Sequence, residues 1–297
     1  MATPPRRILV PTDFSPTAGV ALDLARRLAV AFGAEVHLLH VRILLDDPDQ
    51  EEELQAELER LMNRSDQRTR ELLGRTRDTV TDVVVHPHLV RGIAPAESIV
   101  EAAGDLGCDL VVMGTHGRRG LKHLLMGSVA EEVVRTSPIP VLTVRTDSTA
   151  EPASPERILV PLDFSETSMA AVTTAAAWAR VLHASVTLLH VVEPVVYPEF
   201  YAVDLMPEDV MDRIRERSAQ ALERIAAEHL ANVETSVRVA VGRAPEIILE
   251  EADQGGHDLV ILASRGLSPL EHLLLGSVAD GVIRRSAVPV LTVRPEA

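Results

Sequence analysis

The sequence predicts an α/β protein built twice, each half a parallel sheet with helices on both faces. Three observations carry this. The chain repeats itself: Arg7 to Ser15 (RILVPTDFS) returns as Arg157 to Ser165 (RILVPLDFS), Leu38 to Val41 (LLHV) as Leu188 to Val191, and Pro140 to Arg145 (PVLTVR) as Pro289 to Arg294, always about 150 residues apart. That is the period of a duplicated domain, not of a solenoid. Apolar residues make up 46% of the 297 residues but aromatics only 2%, so the cores are built from Val, Leu, Ile and Ala. Such cores suit parallel strands buried between helices. Finally, short apolar runs alternate with helical stretches, the pattern of right-handed crossovers.

In the first half, Arg7 to Val10 reads as a strand. Ser15 caps the helix that follows, Pro16 takes its first position, and Gly33 ends it after Phe32. Glu35 to Val41 is the second strand. Pro48 to Arg77 is acidic early and basic late, as a helix dipole favours, and the acidic run Asp46 to Glu53 is its solvated start. Thr81 to Val90 is the third strand. Pro95 starts a helix that ends near Gly107. Asp109 to Met113 and Val141 to Val144 complete the strands, with a helix over Val129 to Arg135 between them. The second half repeats this order. Residues 147–156, rich in Ser, Pro, Ala and acid, read as a linker between a first domain at 1–146 and a second at 157–297.

The formal charge of −15 argues against sequence-independent nucleic-acid binding and against adhesion to an anionic membrane. The one cysteine, Cys108, allows no intramolecular disulfide and reads as a packed thiol. No apolar run approaches the roughly 18 residues of a membrane helix. Arg6-Arg7 is followed only by Ile8 to Val10 before Pro11 and Asp13, so it heads no signal core. A cytoplasmic protein is expected.

The candidate site centres on Gly114 to Ser128, GTHGRRGLKHLLMGS, between an apolar strand and a helix. Glycines at such a turn let backbone approach a ligand. Gly127-Ser128 opens a helix whose first N–H groups have no intrahelical partner, a ready anion site; the plainer role for Ser128 is to cap that helix. Arg118, Arg119 and Lys122, the chain's only lysine, add positive charge. The spacing is not that of a Walker loop. It is Gly, two residues, Gly, nine residues, Gly-Ser. Together with PTDFS, LLHV and PVLTVR it resembles the nucleotide-binding members of the universal stress protein family, over both halves and nearly the whole chain outside the linker.

That resemblance implies two Rossmann-like domains, each a five-stranded parallel sheet of order 3-2-1-4-5, binding an adenine nucleotide at the strand ends. It implies ATP with magnesium on its phosphates. The site residues would be Pro11, Thr12, Asp13, Val41, Met113, Gly114, His116, Gly117, Arg118, Gly127, Ser128 and Val129. Asp13, otherwise a turn residue, would lie near the adenosine, since a carboxylate repels bare phosphates. The main chain near Val41 would read the adenine edge, and His116 would reach phosphate or ribose. The resemblance also implies pairing through the last strands, Pro140 to Val144 and Pro289 to Val293, in a homodimer or an intramolecular pseudo-dimer.

The second half is expected to hold a weaker site at Asp163, Val191, Gly266, Gly276, Ser277 and Val278. Its loop begins Ala263-Ser264-Arg265-Gly266, with alanine for the first glycine, and Leu267, Ser268 and Glu271 answer Arg118, Arg119 and Lys122. Residues 1–150 hold 17 basic and 22 acidic residues, net −5; residues 151–297 hold 12 and 22, net −10. Tyr197, Phe200 and Tyr201, three of the chain's seven aromatics, cover a cleft or a partner surface, or pack under a long loop. His40 and His190 occupy matching strand ends and read as structural. His86 and His88 share one strand face, with no further metal ligand nearby in sequence. Ser15 and Ser165 read as helix caps rather than nucleophiles, and no general base for ATP hydrolysis can be assigned. Three functions follow: a nucleotide-binding regulatory or stress-response module, a dimerising scaffold of the same fold that binds no nucleotide, or adenylate-forming or pyrophosphatase chemistry, for which no nucleophile is evident.

Overall fold

The structure, a computed structural model, describes residues 3–43, 51–73, 83–115, 126–145, 154–193, 208–264 and 275–294. The first half runs β1 (Arg7–Pro11), α1 (Pro16–Phe32), β2 (Glu35–Ile43), α2 (Glu51–Leu73), β3 (Val85–Gly92), α3 (Pro95–Asp105), β4 (Leu110–Gly114), α4 (Ser128–Thr136) and β5 (Val141–Val144). The second runs β6 (Arg157–Pro161), α5 (Glu166–Leu182), β7 (Ser185–Val192), α6 (Glu208–His229), β8 (Thr235–Val241), α7 (Ala244–Gln254), β9 (Leu259–Ala263), α8 (Ser277–Arg285) and β10 (Val290–Val293).

Local signals set most boundaries. The Ser15 hydroxyl accepts the Ala18 N–H at 3.2 Å, the Ser165 hydroxyl that of Ser168 at 3.1 Å, and Gly33 closes α1 in the left-handed region, φ 69°. The strand expected from Asp109 begins one residue later, because the Asp109 carboxylate accepts the N–H groups of Arg6 and Arg7 at 2.9–3.0 Å. Asp258 does the same for Glu156 and Arg157. Each aspartate thus pins the start of the first strand of its half to the start of the fourth. The expected start of the third strand at Thr81 lies outside the described residues. Its end moves from Val90 to Gly92, because β3 stays paired with β2 as far as Ile43.

The described strands form one sheet in the order β3-β2-β1-β4-β5-β10-β9-β6-β7-β8. Pairing within each half is parallel; β5 against β10 is antiparallel. Two apolar cores, one on each face, run through both halves. One gathers α1, α2, α5 and α6, the other α3, α4, α7 and α8. Cys108 lies buried in the second, where desolvation pushes its thiol up to about 11. No described helix is long and apolar enough to cross a membrane.

The repeated PVLTVR segment makes the join. Leu142 pairs with Leu291 at its centre. The Thr143 hydroxyl donates to Val290 O at 3.2 Å, and that of Thr292 to Val141 O at 3.0 Å. Past each strand an arginine reaches the far helix end in the opposite half: Arg145 donates to Arg284 O at 3.0 Å, and Arg294 to Val134 O at 3.4 Å and to Arg135 O. Cations at helix C-termini satisfy carbonyls that lack intrahelical partners. On the other face Phe32 meets Trp178, ring centroids 5.0 Å apart.

Two outcomes follow. Leu291→Ala, at a fully buried position of the join, costs roughly 2–5 kcal/mol by denaturant unfolding. Because both cores cross the join, Trp178 fluorescence and far-UV circular dichroism unfold in one coincident transition; two separated transitions would show halves that fold independently.

Candidate functional site

In each half the first strand leads to a helix on one face and the fourth to a helix on the other: β1 to α1, β4 to α4. Neighbouring strands whose connections leave in opposite directions open a crevice at their carboxyl ends, the usual ligand position in open α/β sheets. The second half shows such a cleft, of about 270 Å³. Its walls bring together Pro161 ending β6, Leu162 and Asp163 just after it, Val191 on β7, Ala263 ending β9, and Gly276, Ser277 and Val278 opening α8. Asp163, Val191, Gly276, Ser277 and Val278 of the sequence-derived second set therefore meet in one cavity. Gly266 lies outside the described residues.

The same frame supports the first half. Thr12 N–H donates to Leu39 O at 2.8 Å, as Leu162 does to Leu189 O at 2.9 Å. Gly127 N–H donates to Thr115 O at 2.7 Å, as Gly276 does to Ser264 O at 2.9 Å. Pro11, Thr12 and Asp13 end β1 and enter its turn, Val41 lies on β2, Met113 and Gly114 end β4, and Gly127, Ser128 and Val129 open α4. His116, Gly117 and Arg118 lie outside the described residues, as do Arg119, Lys122 and the cluster of Tyr197, Phe200 and Tyr201.

The turn after β1 holds a feature the sequence reading missed. Phe14 has φ 63° and Phe164 φ 62°, left-handed values that a bulky side chain rarely takes and that cost about 1–3 kcal/mol. Neighbouring bonds hold the turn. Phe14 N–H donates to Thr12 Oγ1 at 3.0 Å and Ser15 N–H to Asp13 Oδ1 at 3.0 Å. In the second half Ser165 donates both its N–H, at 3.1 Å, and its hydroxyl, at 2.5 Å, to Asp163 Oδ1. Both aspartates are thus turn residues, and Asp163 also lines the cleft. Beneath each phenyl ring lies a histidine: His40 at 4.6 Å from Phe14 and His190 at 4.4 Å from Phe164. Their Nδ1 atoms stand 2.7 and 2.9 Å from Thr12 O and Leu162 O. A carbonyl only accepts, so Nδ1 carries the proton in both rings. The structural role expected of these two histidines is therefore to hold the strained turn. The available signal was an identical DFS in both repeats, with a bulky residue where turns favour small ones.

One further expectation needs correction, and another gains a second cause. Ser128 does not cap α4. Gly127 is the cap residue and makes no side-chain bond, while Ser128 is the first helical residue; α8 repeats this with Gly276 and Ser277. Gly114, expected to let the backbone approach a ligand, also has a packing reason to be glycine. A Cβ on it would lie 2.6 Å from Thr17 Cγ2 and 3.0 Å from Thr17 Cβ. It is glycine because α1 packs its buried Thr17 against the end of β4. In the second half Ala263 takes this place and Thr167, the counterpart of Thr17, is only half-buried.

Gly114→Ala in the ligand-free protein therefore costs about 1–3 kcal/mol, the usual penalty of overpacking. Adding Thr17→Ala, which removes the closest contact at Cγ2 but keeps Cβ, restores part of it in a double-mutant cycle. A glycine needed only for a ligand would leave ligand-free stability unchanged.

Comparison with known proteins agrees with this architecture. The model of the universal stress protein family matches residues 5–145 and again 155–294. Universal stress protein MJ0577 of Methanocaldococcus jannaschii is 34% identical over 154 residues, 47% of this chain and 94% of that protein. Universal stress protein Rv2005c of Mycobacterium tuberculosis is 29% identical over 204 residues, 67% of this chain and 66% of that one. The crystal structure of a universal stress protein from Archaeoglobus fulgidus shares the fold, with a TM-score of 0.65 at 23% identity over 98% of this chain and 97% of that one. With the strand-end frame repeated in both halves, the repeated glycine-capped helices and two family matches in one sequence, the chain belongs to the universal stress protein family and carries its domain twice.

Proposed function

We propose that the chain is a regulatory stress-response module that binds ATP, with magnesium on the phosphates, and that the first half binds it more tightly than the second. One observation carries the reading. Gly127 and Gly276 cap their helices at φ −63° with ψ 142° and 144°, a conformation open to any residue. Glycine is therefore not needed for the backbone. What it contributes is the lack of a side chain in front of N–H groups that have no intrahelical partner: Ser128, Val129 and Ala130 in α4, and Ser277, Val278 and Ala279 in α8. An anion seated there meets these N–H groups and the positive end of the helix dipole. The nucleoside would lie along the strand ends towards Asp13 and Val41, in a crevice like that beside Asp163 and Val191.

Magnesium would be held by phosphate oxygens, since Asp13 already gives one carboxylate oxygen to its own turn. When bound it would supply positive charge between the phosphates. The ranking of the halves rests on charge. Arg118, Arg119 and Lys122 belong to the first loop and Glu271 to the second, and one charge-assisted contact is worth roughly 1.5–3 kcal/mol, tenfold or more in affinity. The reading assigns no general base.

Calorimetric titration with magnesium and ATP tests it. Gly127→Arg, which the cap conformation accepts, is expected to abolish the tighter event, and Gly276→Arg to leave that event in place. Loss of ATP binding only in Gly276→Arg would reverse the ranking; no heat from the unaltered chain would refute nucleotide binding.

A further inference from the structure

We infer that His37, His86 and His88 form an acid-responsive latch on the outer edge of the first half, holding β3 against β2 at neutral pH and loosening it as pH falls. β3 is an edge strand of the sheet and pairs only with β2 among the described strands. His37 stands opposite His86 in the register, and His88 lies two residues further along the same strand face. The three imidazoles stack with His37 in the middle, 5.1 Å from His86 at 28° and 5.2 Å from His88 at 21°. His37 Nδ1 lies 3.0 Å from His88 Nε2. His37 is only 8% exposed, and its Nε2 is buried without a hydrogen-bond partner.

The chemistry of that contact sets the response. With both rings neutral, one nitrogen donates and the other accepts. One added proton keeps the bond, since an imidazolium donates to an imidazole. A second proton puts two donors and two positive charges face to face, and the contact fails. Among the described residues, few groups nearby offset this charge. On β2, Glu35 Oε2 stands 3.9 Å from His37 Nε2. On β1, Arg7 adds positive charge and pairs with Glu35 at 3.8 Å. At the start of β4, Asp109 is engaged by the N–H groups of Arg6 and Arg7. On α3, Glu101 and Asp105 are exposed.

Burial first, then the neighbouring histidines, lower the pKa of both His37 and His88 below the ordinary 6.5. For groups lowered in this way the unfolded chain binds more protons. Their stabilisation is therefore complete above the ordinary histidine range and lost as pH falls through the lowered values. The second half supplies an internal control. Thr187 and Ser236 replace His37 and His86, their hydroxyls 3.0 Å apart, and Arg238 replaces His88 and pairs with Glu251 at 3.1 Å. The one described histidine beside this patch, His257, places Nδ1 3.0 Å from Glu251 O and Nε2 3.0 Å from Thr187 Oγ1. Burial lowers its pKa as well, but the Thr187 hydroxyl can rotate to accept, so a proton on His257 opposes no donor and only the contact between histidines in the first half is broken by charge.

Amide hydrogen exchange on the full chain, corrected for intrinsic rates, compares β3 with β8 between about pH 7.5 and about pH 5. Protection of β3 is expected to fall about tenfold more than that of β8, one pH unit of coupled protonation. His37→Thr with His86→Ser, the pair of the second half, should remove the difference. His88→Gln, at a half-buried position, should shrink it and serves as the readout if the double variant does not fold. Equal loss in β3 and β8, or an acid response of unchanged size in these variants, overturns the proposal.

Discussion

Two strands of four residues, VLTV in each half, carry the join between the halves. Every residue in them is buried, and each would otherwise be the outermost strand of its own five-stranded sheet. An apolar edge with open N–H and C=O groups must be paired or covered. Here each edge covers the other. The pairing is antiparallel, so the carboxyl ends of the two sets of parallel strands point to opposite ends of the sheet. The two candidate sites therefore open in opposite directions and cannot share a ligand. The same join sets α4 beside α8 and ties the far end of each to an arginine from the other half, which leaves their glycine-capped starts facing the crevices.

The near-symmetry breaks at its axis. Arg284 of α8 reaches Glu131 of α4 at 2.9 Å and Asp280 of its own helix at 2.7 Å. Its counterpart Arg135 instead turns to Glu132 at 3.6 Å. The crevices differ as well: Thr12, Ser98 and Gly114 in the first half stand where Leu162, Ile248 and Ala263 stand in the second. These changes make the second crevice more apolar while the framework bonds remain. Retained framework with altered lining supports the proposed difference between the halves.

What was legible in the sequence was whatever depends on neighbours along the chain. Ser15, Pro16 and Gly33 announce the ends of α1, and the repeat of RILVP, LLHV and VLTV announces strands buried on both faces. The crevice followed from alternation of strands and helices together with the family resemblance. What was not legible depends on residues distant in sequence. Gly114 read only as a ligand glycine, because the packing of Thr17 against it comes from a residue distant in sequence. His86 and His88 lacked a third partner until β2 brought His37 alongside. The strained Phe14 and Phe164 became interpretable once His40 and His190 were seen bonded to the same turns. Ser128 missed its expected role by one residue, a shift that decides whether a side chain or a bare backbone stands at the helix start.

Exchange of the amides of Ser128, Val129 and Ala130 tests nucleotide binding most directly. These groups have no intrahelical partner, so they exchange quickly in the free protein. If phosphates sit on the glycine-capped start of α4, saturating ATP with magnesium slows these three amides by tenfold or more, as a bond worth about 1.4 kcal/mol would, with a smaller effect at Ser277, Val278 and Ala279. No slowing at either helix start, with ATP in excess, would contradict nucleotide binding at these strand ends.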